Sequence, residues 1–314
     1  MEAGPNRIDV HHHISPPGYI AELDPKGILT KETKEWTPQQ SIDEMDRGGV
    51  QVALTSITTP GLWFGDAAAS KKLARLCNDY AARLVTEHPK RFGMFVNLPM
   101  PDIDASLKEI EYGLDVLKAD GVVFFTSYGD KWLGDPAFDP VFEELSRRKA
   151  VVYTHPTTAT CCTNLLVPSA GIGDAMIEYG TDTTRCIAQI VLTGRASRFS
   201  GIKFIWSHGG GTMPFLLVRV TRGGRAPQFA KNLPNGFVHE VKKFYYDTAA
   251  VYARAPLLAL REVVGVDQVV FGTDVPWGHC DEIAKAVAES GVFNADELKQ
   301  IDRENALRIL PQFK

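Results

Sequence analysis

Eight short apolar runs, rich in β-branched and aromatic residues, recur along the chain at 7–12, 50–57, 92–98, 121–128, 150–155, 203–208, 244–249 and 269–274. They set the tightest limit on what the chain can fold into. Short apolar runs suit strands buried on both faces, as in a parallel sheet, and the segments between them are long enough to hold crossover helices. In the segment 67–87, Leu73, Leu76, Tyr80 and Leu84 follow a three-to-four spacing, the stripe of a helix that buries one side. Asp102 and Asp104 ahead of 105–117, and Asp139-Pro140 ahead of 141–148, put acids and a proline where helices begin. Eight strand–helix units predict a (β/α)8 TIM barrel. No GxGxxG turn follows the first run, which argues against an open doubly wound sheet.

The 314 residues fit one such barrel, and no Pro/Gly/Ser-rich linker divides them, so residues 1–314 are expected to form a single domain. Two connections, 15–36 and 161–179, exceed what a βα unit needs and are expected to cap the barrel mouth as active-site loops. A net charge of -4 offers no basic field for nucleic acid or an anionic membrane surface. No apolar run approaches ~18 residues, and the first residues lack the apolar core of a signal peptide. The five cysteines, Cys77, Cys161, Cys162, Cys186 and Cys280, show no CxxC spacing; the adjacent pair reads as loop residues. A soluble, cytoplasmic protein with reduced thiols is expected.

Residues that end the strands of a barrel gather around one mouth, and there the chain concentrates its titratable groups. The first run ends in His11-His12-His13, the fifth in His155, the sixth in His208 before Gly209-Gly210-Gly211, and the eighth in Asp274. Side chains alternate between the faces of a strand, so His11 and His13 share the mouth and His12 points away. The same alternation puts Asp9 deeper on the face of His11, where it would brace that residue. One histidine at a strand end is usually a hydrogen-bonded polar residue. Four histidines and an aspartate at the ends of four strands predict a metal site. Such donors suit Zn2+ first and accommodate Mn2+ or Fe2+, whereas Ca2+ would want more oxygens. His88 and His239 read as surface residues, and His279 as either a mouth or a structural residue. The three glycines lack the Lys-Ser/Thr of a phosphate loop and provide instead for close backbone approach beside His208.

This constellation resembles the amidohydrolase superfamily of metal-dependent barrels over nearly the whole chain. Ser207-His208-Gly209-Gly210-Gly211 and Gly272-Thr273-Asp274-Val275-Pro276-Trp277 look closest to the branch that holds the aminocarboxymuconate semialdehyde decarboxylases and the salicylate-type decarboxylases. Ser56-Ile57-Thr58-Thr59-Pro60-Gly61-Leu62-Trp63-Phe64-Gly65-Asp66 and Leu133-Gly134-Asp135-Pro136-Ala137-Phe138-Asp139-Pro140 look like the 6-methylsalicylate decarboxylases within it. The resemblance implies His11, His13, His155 and Asp274 as metal ligands, with His208 beside the metal as an acid/base residue that need not coordinate it. It implies Arg219, on the helix after the three glycines, as a substrate-binding residue that reaches the neighbouring subunit's site, and hence a homodimer. The 56–66 loop offers no arginine for a second substrate carboxylate, unlike the semialdehyde decarboxylases. His11 stands where the 2,6-dihydroxybenzoate decarboxylases have Glu.

The expected reaction is non-oxidative decarboxylation of a small aromatic carboxylate, an ortho-hydroxybenzoate, with 6-methylsalicylate to m-cresol as the leading case. The metal would bind the phenolic oxygen and one carboxylate oxygen; Asp274 or a water at the metal would protonate the carboxyl-bearing carbon, with His208 shuttling the proton. Trp63, Phe64, Trp277 and Phe293 are expected to wall the ring, and no organic cofactor is needed. The alternative is a metal-dependent hydrolase of a lactone or amide. It is weakened because the fourth run, Val122-Val123-Phe124-Phe125-Thr126-Ser127, has no lysine for a carbamylated two-metal centre. A catalytically dead scaffold would not be expected to keep all five polar groups.

Overall fold

Every strand of the central sheet is buried from end to end or nearly so, which is why the runs read as continuously apolar. A computed structural model describes residues 6–157, 159–162 and 173–314. Its strands are β1 (Arg7–His13), β2 (Val50–Ser56), β3 (Phe92–Asn97), β4 (Gly121–Phe125), β5 (Val151–His155), β6 (Lys203–Trp206), β7 (Tyr245–Asp247) and β8 (Val269–Val270). Each is paired in parallel with the next in chain order. Beyond β8 the chain returns alongside β1: the Val10 N–H donates to the Phe271 carbonyl at 3.0 Å and the His13 N–H to Val275 at 2.8 Å. The ladder thus closes on itself, and the expected (β/α)8 barrel is the fold.

A helix follows each strand: α1 (Pro38–Arg47), α2 (Ala67–Glu87), α3 (Ile103–Glu111), α4 (Asp139–Arg148), α5 (Glu178–Leu192), α6 (Met213–Gly223), α7 (Arg254–Val264) and α8 (Cys280–Glu289). Side-chain caps start several of them. Asp66 accepts the Ala68 and Ala69 N–H groups ahead of α2, and Asp102 accepts that of Ala105 ahead of α3, each satisfying backbone donors that have no partner within the helix.

The core has two layers. Ile8, Val10, Leu54, Phe95, Tyr153 and Ile205 fill the barrel, floored by Ala306 and Leu310 near the C-terminus. Ala53, Phe124, Val152, Trp206 and Tyr246 point the other way, into the layer under the helices. The fourth run ends sooner than its apolar content suggests, because Ser127–Tyr128 turns into a small hairpin with Lys131–Trp132. Of the two long connections, 15–36 contains the short helices Pro17–Leu23 and Lys31–Glu35, while 163–172 of the second lies outside the described residues. Among the described residues no helix is long and apolar enough to cross a membrane, and Cys77, Cys162, Cys186 and Cys280 are buried thiols.

Candidate metal centre

An irregularity in β1 assembles the mouth. Ile8 and Val10 point into the barrel, so strict alternation would turn His11 outward. The pairing of β1 with β2 shifts register between Asp9 and His12, a bulge that swings His11 back to the side of His13. Asp9 and His12 consequently share the outer face, with His12 Nδ1 3.0 Å from Asp9 Oδ2 and His12 Nε2 2.8 Å from Ser41 Oγ of α1. The expectation that Asp9 shares the face of His11 is therefore corrected, and its hold on that ligand runs through the backbone rather than the ring. Asp9 accepts the His11 backbone N–H at 3.0 Å and the Thr273 hydroxyl at 2.6 Å.

On the inner face His11, His13, His155 and Asp274 each offer one ligand atom, all within 4.8 Å of one another. The Nε2 atoms of His11 and His13 are 3.0 Å apart, and Asp274 Oδ1 lies 3.1 Å from the first and 3.2 Å from the second. The far nitrogen of each ring is occupied. Asp247 Oδ2 lies 2.8 Å from His11 Nδ1, Ser56 Oγ 3.1 Å from His13 Nδ1, and the Pro156 carbonyl 2.9 Å from His155 Nδ1. A carboxylate and a carbonyl only accept, so neutral His11 and His155 carry their protons on Nδ1 and turn Nε2 lone pairs toward the cluster. This donor set fits a divalent cation of the Zn2+ or Mn2+ type.

The electrostatics agree with that fit. Burial pushes the His13 pKa down to about 4 and that of His155 well below the ordinary histidine value. Burial also works against charge on His11, but the carboxylates of Asp247 and Asp274 outweigh it and raise the pKa to about 10. Burial opposes ionisation of Asp274, yet the charge and hydrogen bond of His11, with hydrogen bonds from His13 and His208, hold its carboxyl well below the usual range. The two carboxylates create a field that selects positive charge at the His11 Nε2 position, while His13 and His155 stay neutral donors.

His208 follows β6 in the left-handed region (φ 52°), with Nε2 3.2 Å from Asp274 Oδ2. Asp274 (φ 64°) and Ala250 (φ 55°) share that conformation, and all three line one cavity of about 450 Å³. Non-glycine residues held there cost on the order of 1–3 kcal/mol each and cluster at functional sites. The glycine after Gly210 must be a glycine, since a Cβ on Gly211 would lie 2.1 Å from the Gly180 carbonyl oxygen of α5. Thr30, Thr58, Thr59, Tyr179 and Trp277 complete much of the lining; no Lys or Arg is among the described lining residues.

Of the expected aromatic wall only Trp277 reaches this cavity, its ring 6.0 Å from that of His13. Trp63 and Phe64 line a separate cavity of about 320 Å³ with Phe125 and Tyr128. Phe293 packs in the core under the Arg261 guanidinium. Arg219 is exposed on α6, outside the cavity of its own chain, and His279 pairs with Glu44 on the surface. Asp247, buried at the end of β7, falls inside the longer run 244–249, so inspection of the run ends passes over it. Its signal is parity: Tyr245 belongs to the barrel interior, so the residue two further on points inward as well.

Residues 8–312 match the family described as Amidohydrolase. The chain is 36% identical to the decarboxylase yanB of Aspergillus niger, over 98% of this chain and 88% of that one. It is 34% identical to the 6-methylsalicylic acid decarboxylase of Penicillium expansum, over 98% and 97%. The crystal structure of a dihydroxybenzoic acid decarboxylase from Polaromonas, with bound manganese and the inhibitor 2-nitroresorcinol, has the same fold: TM-score 0.84 over 98% of both chains at 20% identity.

Proposed function

The chain belongs to the amidohydrolase family and is a decarboxylase, and on that premise we propose that it removes CO2 from an ortho-hydroxybenzoate without oxidation, converting 6-methylsalicylate to m-cresol. The convergence of three imidazoles and Asp274 on one point carries this reading. His11, His13, His155 and Asp274 hold a divalent ion, Zn2+ first and Mn2+ second. When bound, that ion supplies Lewis acidity toward the phenolic and carboxylate oxygens. The threonine hydroxyls and Trp277 suit a flat ring, and a lining without Lys or Arg suits one carboxylate rather than two. The hydrogen-bonded pair Asp274 and His208 delivers a proton to the carboxyl-bearing carbon. Aromaticity is lost there; the bond to the carboxylate then breaks, its electron pair returns to the ring, and CO2 leaves. Incubating the enzyme with 6-methylsalicylate, salicylate and a panel of lactones tests this. CO2 release with m-cresol formation is expected, and lactone turnover without decarboxylation overturns it.

The same reading makes α6 a subunit interface. Phe215 and Val218 are 72% and 80% exposed, with Arg219 exposed beside them, and large apolar side chains gathered on one helix suit burial against a second copy. Arg219 then serves the neighbouring subunit's site. Mixing Arg219→Ala with His155→Ala protein should restore part of the lost activity, because one site per mixed dimer is complete; no restoration, or a monomer by sedimentation, overturns it.

A further inference from the structure

We infer that Asp247 is a positioning residue that sets two groups at once, the tautomer of His11 and the backbone of His208. The inference rests on the metal-site reading above. Asp247 is fully buried, and its two oxygens serve different partners. Oδ2 accepts Nδ1–H of His11 at 2.8 Å and the Tyr153 hydroxyl at 3.5 Å. Oδ1 accepts the backbone N–H groups of His208 at 2.8 Å and Ala249 at 3.1 Å. Gly272 makes the approach possible, since a Cβ there would lie 2.8 Å from the Asp247 Cβ and 2.9 Å from the His11 Cβ.

Both oxygens face N–H donors, so only a carboxylate satisfies every partner. An amide nitrogen in place of Oδ2 would force the His11 proton onto Nε2 and remove that lone pair from the cluster. An amide nitrogen in place of Oδ1 would face two N–H groups and release the anchor of the left-handed His208 turn (φ 52°). One carboxylate therefore couples the donor atom of a metal ligand to the placement of the acid/base residue. Side chains that hold ligand histidines in this way typically support metal affinity or activity by roughly 10–100-fold.

Asp247→Ala and Asp247→Asn, compared with wild type and His155→Ala, test the inference through two readouts. These are Zn2+ affinity from competition with a chromophoric chelator, and kcat and KM at saturating Zn2+. Asp247→Ala is expected to lose roughly 10–100-fold in Zn2+ affinity and to lose kcat with little change in KM; Asp247→Asn loses at least one of the two. Folded Asp247→Ala with wild-type Zn2+ affinity or wild-type kcat overturns it. If His155→Ala itself keeps wild-type Zn2+ affinity, the metal-site reading has failed and the inference falls with it. Should the Asp247 variants not fold, a neutron structure of the Zn2+-bound wild type decides. A deuteron on His11 Nδ1 directed at Asp247 Oδ2, with the backbone N–D of His208 directed at Oδ1, supports the coupling, and the absence of either deuteron from that contact overturns it.

Discussion

Inside the barrel mouth His11, His13, His155 and Asp274 bring four donor atoms together; behind the same strand Asp9, His12 and Cys280 bring three together, within the same 4.8 Å spread. Residue types alone do not separate the two clusters, but their partners do. Behind the strand both ring nitrogens of His12 are engaged, by Asp9 and Ser41, and Ser41 also accepts the indole N–H of Trp36 at 3.0 Å. Asp9 receives the Thr273 hydroxyl together with the His11 and Thr273 backbone N–H groups. Burial and the neighbouring Asp9 push the Cys280 thiol up, keeping it protonated. No donor atom of His12 is left over for an ion. In the mouth each ring spends only its outer nitrogen on the protein and keeps the inner one for the cluster. What distinguishes a metal site from a polar strut is thus the lone pairs left unspent, a difference that substitutions on either face can break.

The largest effect is expected from His155→Ala, which removes one of the four ligand atoms that converge in the mouth. Metal should be lost, and with it activity beyond the ~10–100-fold that loss of a supporting partner costs. Elemental analysis alongside turnover checks this, and stoichiometric metal in the variant would erase the contrast between the faces. His208→Ala comes next. Its Nε2 contacts Asp274 Oδ2 from the cavity side, so metal should stay while turnover falls by about 10²–10⁴-fold, the usual worth of a positioned proton carrier. Near-wild-type turnover would remove His208 from the chemistry.

His12→Ala tests the other face. It takes one donor from the Asp9 carboxylate and the His12 partner from the Ser41 hydroxyl, which keep their bonds to Thr273 and Trp36, at a cost of about 1–3 kcal/mol in all. Chemical denaturation should show the loss while metal stoichiometry and kcat hold. Metal loss without loss of stability would make His12 part of the inner site.

Much of this was legible in the sequence because barrels obey local rules. Strands buried on both faces read as continuous apolar runs, and polar residues ending such runs, like His155 and Asp274, meet at one mouth. The assignment of Asp9 went astray because two-residue alternation holds only for an unbroken ladder, and the register shift in β1 depends on how neighbouring strands pair. Trp63 and Phe64 belong to a loop, where no periodicity fixes side-chain direction, so their turn into a neighbouring cavity was invisible. Asp247 was hidden for the opposite reason. Parity along β7 does point it inward, but a single acid within Tyr245-Tyr246-Asp247 looks like an ordinary polar interruption until His11 and His208 are seen on either side of it.

The smallest expected effect is also the one that bears most directly on the outer cluster. Cys280 is wedged against α1's end, where a Cβ on Gly48 would come within 2.4 Å of the Cys280 Cβ, and its sulfur lies 3.8 Å from Thr273 Oγ1. Cys280→Ala removes one buried atom and no hydrogen bond that His12 or Asp9 depends on, so a loss of about 1 kcal/mol, comparable to deleting a methylene, is expected. Metal content per chain should not change. If it falls from two ions to one, the outer triad holds an ion of its own, and satisfied hydrogen bonds do not separate the two faces of β1 after all.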